Sequence, residues 1–281
     1  MIPLGIFSKT FARPTVEQAF QEVASRKLSF VQFNFSNAGL PTLPDQIEPS
    51  VIHEIRSAAE RHSIRITAVS GTFNLIDPDF ELRDQNLRRL AVLAAACEAL
   101  QAPVITLCTG TRNPDDMWRG HPDNATPAAW AEMVEGIRLA LWITEPFNVK
   151  LAVEPEPGNV MRDAQNARKL LDEIHSSRLG IVFDAANILA GKPDLPQRNV
   201  LAEAFELLGN DIALAHGKEF VAEEAAARIP GKGELDWNHF LSRLAETSYS
   251  GPLILHGFAE DQADEAVAFL ANVLQRIDTQ S

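Results

Sequence analysis

Short runs of apolar, often β-branched residues recur along the chain, and each is followed by a stretch whose apolar positions return at helical spacing. The apolar runs fall at residues 4–7, 30–35, 64–70, 104–108, 149–153, 179–183, 212–215 and 252–255. Between them, residues 16–26 follow Thr15, a side chain suited to capping a helix N-terminus. Residues 50–61 align Val51, Ile52, Ile55 and Ala58 on one side, and residues 82–100 align Leu87, Leu90, Ala91 and Ala94. Pro127 opens a helix reaching to residue 144, since a first-turn proline sacrifices no helical hydrogen bond. Residues 164–175, 200–208, 237–246 and 263–277 complete the helical set.

Strict strand–helix alternation calls for parallel strands joined by helical crossovers. Eight such units within 281 residues predict an α/β protein built as a single (β/α)8 TIM barrel. No low-complexity tract or long Gly/Ser/Pro linker divides the chain, so residues 1–281 are read as one domain. A doubly wound open sheet is the alternative. It would call for a glycine-rich turn after the first strand, where Ser8-Lys9-Thr10 stands instead.

A formal charge of −13 argues against a nucleic-acid partner, because phosphate binding needs clustered Lys and Arg. No apolar run approaches the ~18 residues of a membrane span. The first residues lack a basic segment and a cleavage pattern, and Cys97 and Cys108 make no disulfide framework, so the expected location is cytoplasmic. Both cysteines are read as small buried hydrophobes.

In such a barrel the chemistry gathers at the C-terminal ends of the strands. The fifth strand runs into Glu154, the sixth into Asp184, the seventh into His216 and the eighth into His256. Side chains alternate along a strand, so these four share a face with Ala152, Val182, Leu214 and Ile254, which are expected to fill the barrel interior. One such residue alone is usually a structural hydrogen-bonding group. Four on consecutive strands form a donor set suited to a divalent metal ion such as Mn, Zn, Mg or Co.

At these strand ends the sequence resembles the xylose-isomerase-like TIM barrels, a superfamily of sugar isomerases and epimerases that also includes AP-endonuclease-type enzymes. The resemblance covers nearly the whole chain. It is carried by Leu151-Ala-Val-Glu-Pro-Glu-Pro-Gly158, Val182-Phe-Asp-Ala-Ala-Asn187, Leu214-Ala-His-Gly-Lys-Glu219 and Pro230-Gly-Lys-Gly-Glu-Leu-Asp-Trp237. The family's ketose epimerases hold their metal with Glu, Asp, His and Glu from the fifth to eighth strands. Glu154, Asp184 and His216 match that pattern, whereas His256 stands where the second Glu belongs. Asn187 stands where the family often has a His, and it is assigned to substrate binding. An endonuclease is disfavoured by Asn187, by the lack of His at the ends of the second and third strands, and by the net charge.

The resemblance implies enolisation of a carbohydrate-like hydroxy-carbonyl substrate, a sugar or sugar phosphate, through an enediolate. Glu154 would take the carbon-bound proton, and His256 or Glu260 would return it. Lys218 would hold a substrate oxygen or phosphate, or else be a solvated lysine. Glu156 lies two residues beyond Glu154, between prolines that leave its direction open. The long segment after the fourth strand offers Trp118 to stack on a sugar ring and Arg112 to bind an anion, and His121 reads as a loop hydrogen-bonder. The family often supplies an Arg between the seventh strand and its helix, which points to Arg228. Asn34 and Asn74 could meet hydroxyls. Gly231 and Gly233 read as a turn, with Asp236 capping the next helix over His239. Family members often form dimers or tetramers through their outer helices, so a homo-oligomer is implied. A dehydratase or lyase on the same scaffold, or a non-catalytic barrel subunit with a degenerate site, are the competing functions.

Overall fold

The structure, a computed structural model, describes residues 2–221 and 228–280. Eight parallel strands close into a barrel in sequence order, each pairing with the next and the last with the first. They are β1 (Leu4–Phe7), β2 (Phe30–Phe33), β3 (Arg65–Ser70), β4 (Val104–Cys108), β5 (Lys150–Glu154), β6 (Leu179–Asp184), β7 (Ile212–Gly217) and β8 (Leu253–Leu255). The helices of the outer layer are α1 (Val16–Ser25), α2 (Pro49–His62), α3 (Phe80–Leu100), α4 (Pro127–Ile143), α5 (Ala164–Ile174), α6 (Ala185–Ala190), α7 (Gln197–Leu208), α8 (Trp237–Ala245) and α9 (Ala263–Gln280). Every predicted strand and helix is present, with ends shifted by a few residues. The addition is α6, a short helix between β6 and α7 whose six residues are too few to show an amphipathic period.

Helix starts follow the side chains that can accept a free N–H. Thr15 accepts from Gln18, Asp79 from Glu81 and Leu82, Thr126 from Ala129 ahead of the first-turn Pro127, and Asp236 from His239. Strands buried on both faces by interior and helices need apolar residues at nearly every position. On the outer face, for example, Phe183 stacks on Phe205 with ring centroids 4.4 Å apart, and both lie near Phe240.

A separate small cluster fills the barrel interior: Ala68, Val104, Ala152, Val182, Leu214 and Ile254. The four interior residues expected from strand alternation are all in it. The layer above them, one pleat towards the strand C-termini, is therefore fixed by geometry. It comprises Ser70, Thr106, Glu154, Asp184, His216 and His256. Register shifts between Val31 and Gln32 against β3, and between Ile181 and Val182 against β7, adjust the levels at which residues of these strands meet. The buried thiols of Cys97 and Cys108 are pushed up by desolvation, consistent with small hydrophobes.

The segment leading from β7 into α8 is organised by a residue the pattern did not single out. Glu219 is fully buried, and among the described residues its carboxylate accepts four N–H groups: Phe220 N at 3.0 Å, Leu235 N at 2.9 Å, Gly231 N at 2.7 Å and Trp237 Nε1 at 2.8 Å. Gly231 has the positive φ expected of it, +86°. Gly233 serves differently: a Cβ there would meet the Glu219 side chain at 2.4 Å, so the glycine permits close approach. Replacing Glu219 with Ala orphans four donors at once. A loss of about 3 kcal/mol or more is expected, read from urea denaturation followed by tryptophan fluorescence. An unchanged midpoint would refute this account of the loop.

Candidate metal centre and active site

The pleat brings Glu154, Asp184, His216 and His256 together at the top of the barrel. One ligand atom from each lies within 4.8 Å of all the others. Asp184 is level with His216 in the register, and His216 with Ile254, so His256 stands one step beyond β8. Two carboxylates and two imidazoles at such separations suit Zn, Mn or a similar divalent ion, so the donor set fits a metal.

Asp184 has no exposed surface and its Oδ2 is the meeting point of the centre. Lys218 Nζ lies 3.2 Å from it, His256 Nε2 3.3 Å and His216 Nδ1 3.8 Å. Its other oxygen caps α6 by accepting from Asn187 N at 3.1 Å. Glu154 Oε1 meets His216 Nδ1 at 3.2 Å and accepts from Asn187 Nδ2 at 2.9 Å. Asn187 Oδ1 in turn accepts from Lys218 Nζ. The imidazoles of His216 and His256 stand edge to face, 4.4 Å apart.

The electrostatics separate these groups. Burial works against a charge on Asp184, yet Lys218, with hydrogen bonds from His216 and His256, holds its carboxyl well below the usual carboxylate range. Burial also opposes a charge on His216, but Glu154 and Asp184 raise its imidazolium to about 9. His256 moves the other way, lowered by burial and by the neighbouring His216 to about 4, so it is neutral at pH 7. Burial and the charge of Glu154 push Glu156 up to about 8. The two imidazoles and the two carboxyls are thus driven apart by burial and by the charges of their neighbours.

Above the centre opens a cavity of about 870 Å3. Its wall includes Glu154, Glu156, His216 and His256, and also Trp118, Arg228 and Glu260. Glu156 therefore does face the site, and Trp118, 52% exposed, stands in the wall beside Met117 instead of packing its loop onto the barrel. Glu260 is at the rim with both carboxylate oxygens held by Arg13, which disfavours it as the group returning a proton. Lys218 is neither a solvated lysine nor part of the wall: its ammonium is committed to Asp184 and Asn187. Asn187 is buried, and its amide is engaged by Glu154 and Lys218. Arg112 is paired with Glu132, and Asn74 clamps Thr111 through its backbone (2.8 and 2.9 Å), so neither reaches the cavity. Asn34 does line it, and His121 accepts from Asp123 N at 3.2 Å, as a loop hydrogen-bonder should.

Sequence reading passed over Gln32, Ser70 and Thr106, which line the same cavity, and Lys9, which extends over the Phe7 ring at 4.7 Å. The first three carry a signal that was available: Ser70 and Thr106 follow the interior residues Ala68 and Val104 by one pleat, as Glu154 follows Ala152.

The chain belongs to the xylose isomerase-like TIM barrel family, whose model matches residues 20–273. Solved structures with the same fold include 3-keto-D-glucoside 4-epimerase YcjR from E. coli, 16% identical, with a TM-score of 0.75 over 97% of this chain and 100% of that one. D-psicose 3-epimerase from Clostridium cellulolyticum H10, solved with D-tagatose, is 17% identical with a TM-score of 0.73 over 98% and 99% of the two chains. IOLI protein with a bound zinc atom is 15% identical with a TM-score of 0.75 over 100% and 99%. Among the described residues no helix is long and apolar enough to cross a membrane.

The purified protein is expected to carry about one divalent ion per chain after mild dialysis, and Asp184→Ala to lose it. Elemental analysis of both proteins checks this; a metal-free parent after incubation with zinc and manganese would contradict it.

Proposed function

We propose that this chain is a divalent-metal-dependent isomerase or epimerase that moves a carbon-bound proton of a sugar or sugar phosphate next to its carbonyl. The observation that carries the reading is the convergence of Glu154, Asp184, His216 and His256 at the floor of the cavity. These four residues would hold the ion, which supplies electrostatic stabilisation for negative charge developing on the substrate oxygens. Sugar-epimerase relatives on the same fold support the choice of chemistry.

Glu154 is the base. Its Oε1 accepts from Asn187, which leaves Oε2 to receive the proton. Holding one oxygen fixes the other, and that positioning is the contribution of Asn187. His256 is the partner that returns the proton. It lines the cavity where the family's second Glu would stand and is neutral at pH 7, so it would first accept a proton from solvent and then deliver it to the substrate carbon, while Glu154 gives its own proton up to solvent. Trp118 and Arg228 bind the body of the sugar from the cavity wall, the ring against the indole and a hydroxyl or phosphate oxygen against the guanidinium. Lys218 acts from below, holding Asp184 ionised.

Glu154→Gln keeps the shape and the amide-compatible contacts but removes the base. Turnover is expected to fall by about 10^3-fold or more while the thermal transition stays within a few degrees. The measurement is exchange of the substrate's carbon-bound proton with deuterated solvent, screened over ketoses and their phosphates with the metal-loaded parent. Exchange retained in Glu154→Gln would rule out this assignment of the base.

A further inference from the structure

A metal-ligating imidazole must present a lone pair to the ion, and the hydrogen bond at its other nitrogen decides which nitrogen that is. His216 Nδ1 is the atom that faces Glu154 and Asp184, at 3.2 and 3.8 Å. Its Nε2 points away from them and lies 2.8 Å from Gln32 Oε1, with no other hydrogen-bond partner among the described residues. Gln32 is 3% exposed and comes from the opposite side of the barrel, on β2. Its amide is anchored in turn. Gln32 Nε2 donates to Ser70 Oγ at 3.0 Å and to Thr106 Oγ1 at 3.3 Å, on the two following strands. All four side chains are buried at the floor of the cavity they line, which strengthens these bonds relative to exposed ones.

We propose that Gln32 is a positioning residue which fixes His216 with Nε2 as the N–H donor and Nδ1 presented to the metal centre. An amide oxygen can only accept. Placed against Nε2 it demands a proton there, and in the neutral ring that leaves the lone pair on Nδ1. The Ser70 and Thr106 hydroxyls complete the device by engaging the amide nitrogen, which keeps the oxygen turned to the imidazole. The register shift between Val31 and Gln32 belongs to the same device: Gln32 is level with Ala68, the residue one pleat below Ser70. Without this acceptor the ring could carry its proton on Nδ1, and an N–H would then point at the centre where a lone pair is needed.

The proposal rests on the metal reading of the site, and its test separates the two. Gln32→Met keeps the length and removes every polar atom, whereas Gln32→Glu keeps the acceptor and abolishes the donor. Zinc dissociation constants, measured by competition with a chromophoric chelator, are expected to weaken about 10–100-fold in Gln32→Met and to remain within about threefold of the parent, or tighter, in Gln32→Glu. A role in packing alone would give these two similarly shaped residues similar affinities. Long-range 1H–15N spectra of the zinc-loaded parent should place the His216 proton on Nε2. Parent-like zinc binding by Gln32→Met, or a proton on Nδ1, overturns the assignment. If the parent itself binds no metal, the metal reading fails. Gln32 is then judged on the metal-free parent: a His216 Nε2 proton protected from exchange, and exposed in Gln32→Met, supports its role, and equal exchange in both overturns it.

Discussion

A carboxylate removed completely from water is costly unless its charge is answered by neighbours that cannot leave, and Asp184 imposes that condition on everything around it. Its two oxygens are met by an ammonium, two imidazoles and the backbone of the helix it caps. Burial alone would favour the neutral form of Lys218; Asp184, with Glu156 and Glu154 behind it, keeps the ammonium charged at that depth. Asn187 bridges Lys218 to Glu154, so the orientation of the proposed base is tied to the same charge. Removing any one member leaves the others with unanswered charge or hydrogen bonds. That mutual dependence holds a set of ionisable groups in one arrangement inside an otherwise apolar barrel.

Much of this was readable from the chain because strand geometry has a period of two. Once Ala152, Val182, Leu214 and Ile254 were recognised as interior residues, Glu154, Asp184, His216 and His256 had to form one layer above them. The same parity applied to the third and fourth strands leads from Ala68 to Ser70 and from Val104 to Thr106. These were missed because hydroxyls at strand ends do not stand out chemically as carboxylates and imidazoles do. Gln32 was harder to place. Its level relative to the third strand depends on a register shift, and the residue it serves lies 184 positions further along the chain. Helix α6 escaped for another reason: its start is dictated by the Asp184 cap, a contact that periodicity does not see.

The least legible features are those decided by partners distant in sequence. Glu260 is placed in the loop after the eighth strand, where an acid/base group is reasonable, but Arg13 from the first loop reaches across and ties both its oxygens. Arg112 looks like an anion binder until Glu132, on the following helix, claims it. Asn74 is drawn into holding the backbone of Thr111. In each case the residue type was read as polar and near the catalytic face, and partners elsewhere in the chain engage its polar atoms. Lys218 belongs with them: two positions past His216, its direction depends on the pocket made by Gly257, where a Cβ would stand 2.9 Å from the lysine stem.

The exchange of the family's second glutamate for His256 gains its meaning from that lysine. With an ion bound, the two carboxylates Glu154 and Asp184 would balance its charge, and two imidazoles that each give it a lone pair would add none. Lys218, in contact with Asp184, would then leave these groups with one positive charge in excess. A glutamate in place of His256 would cancel the excess. On the proposed reading, the imidazole therefore sacrifices some attraction for the ion and leaves a site whose field favours the anionic form of the substrate over the neutral one. Because a buried charge acts through a medium of low dielectric, that preference is felt most strongly as the proton departs to Glu154. The departure from the family pattern reads in this way as a redistribution of charge within the same chemistry.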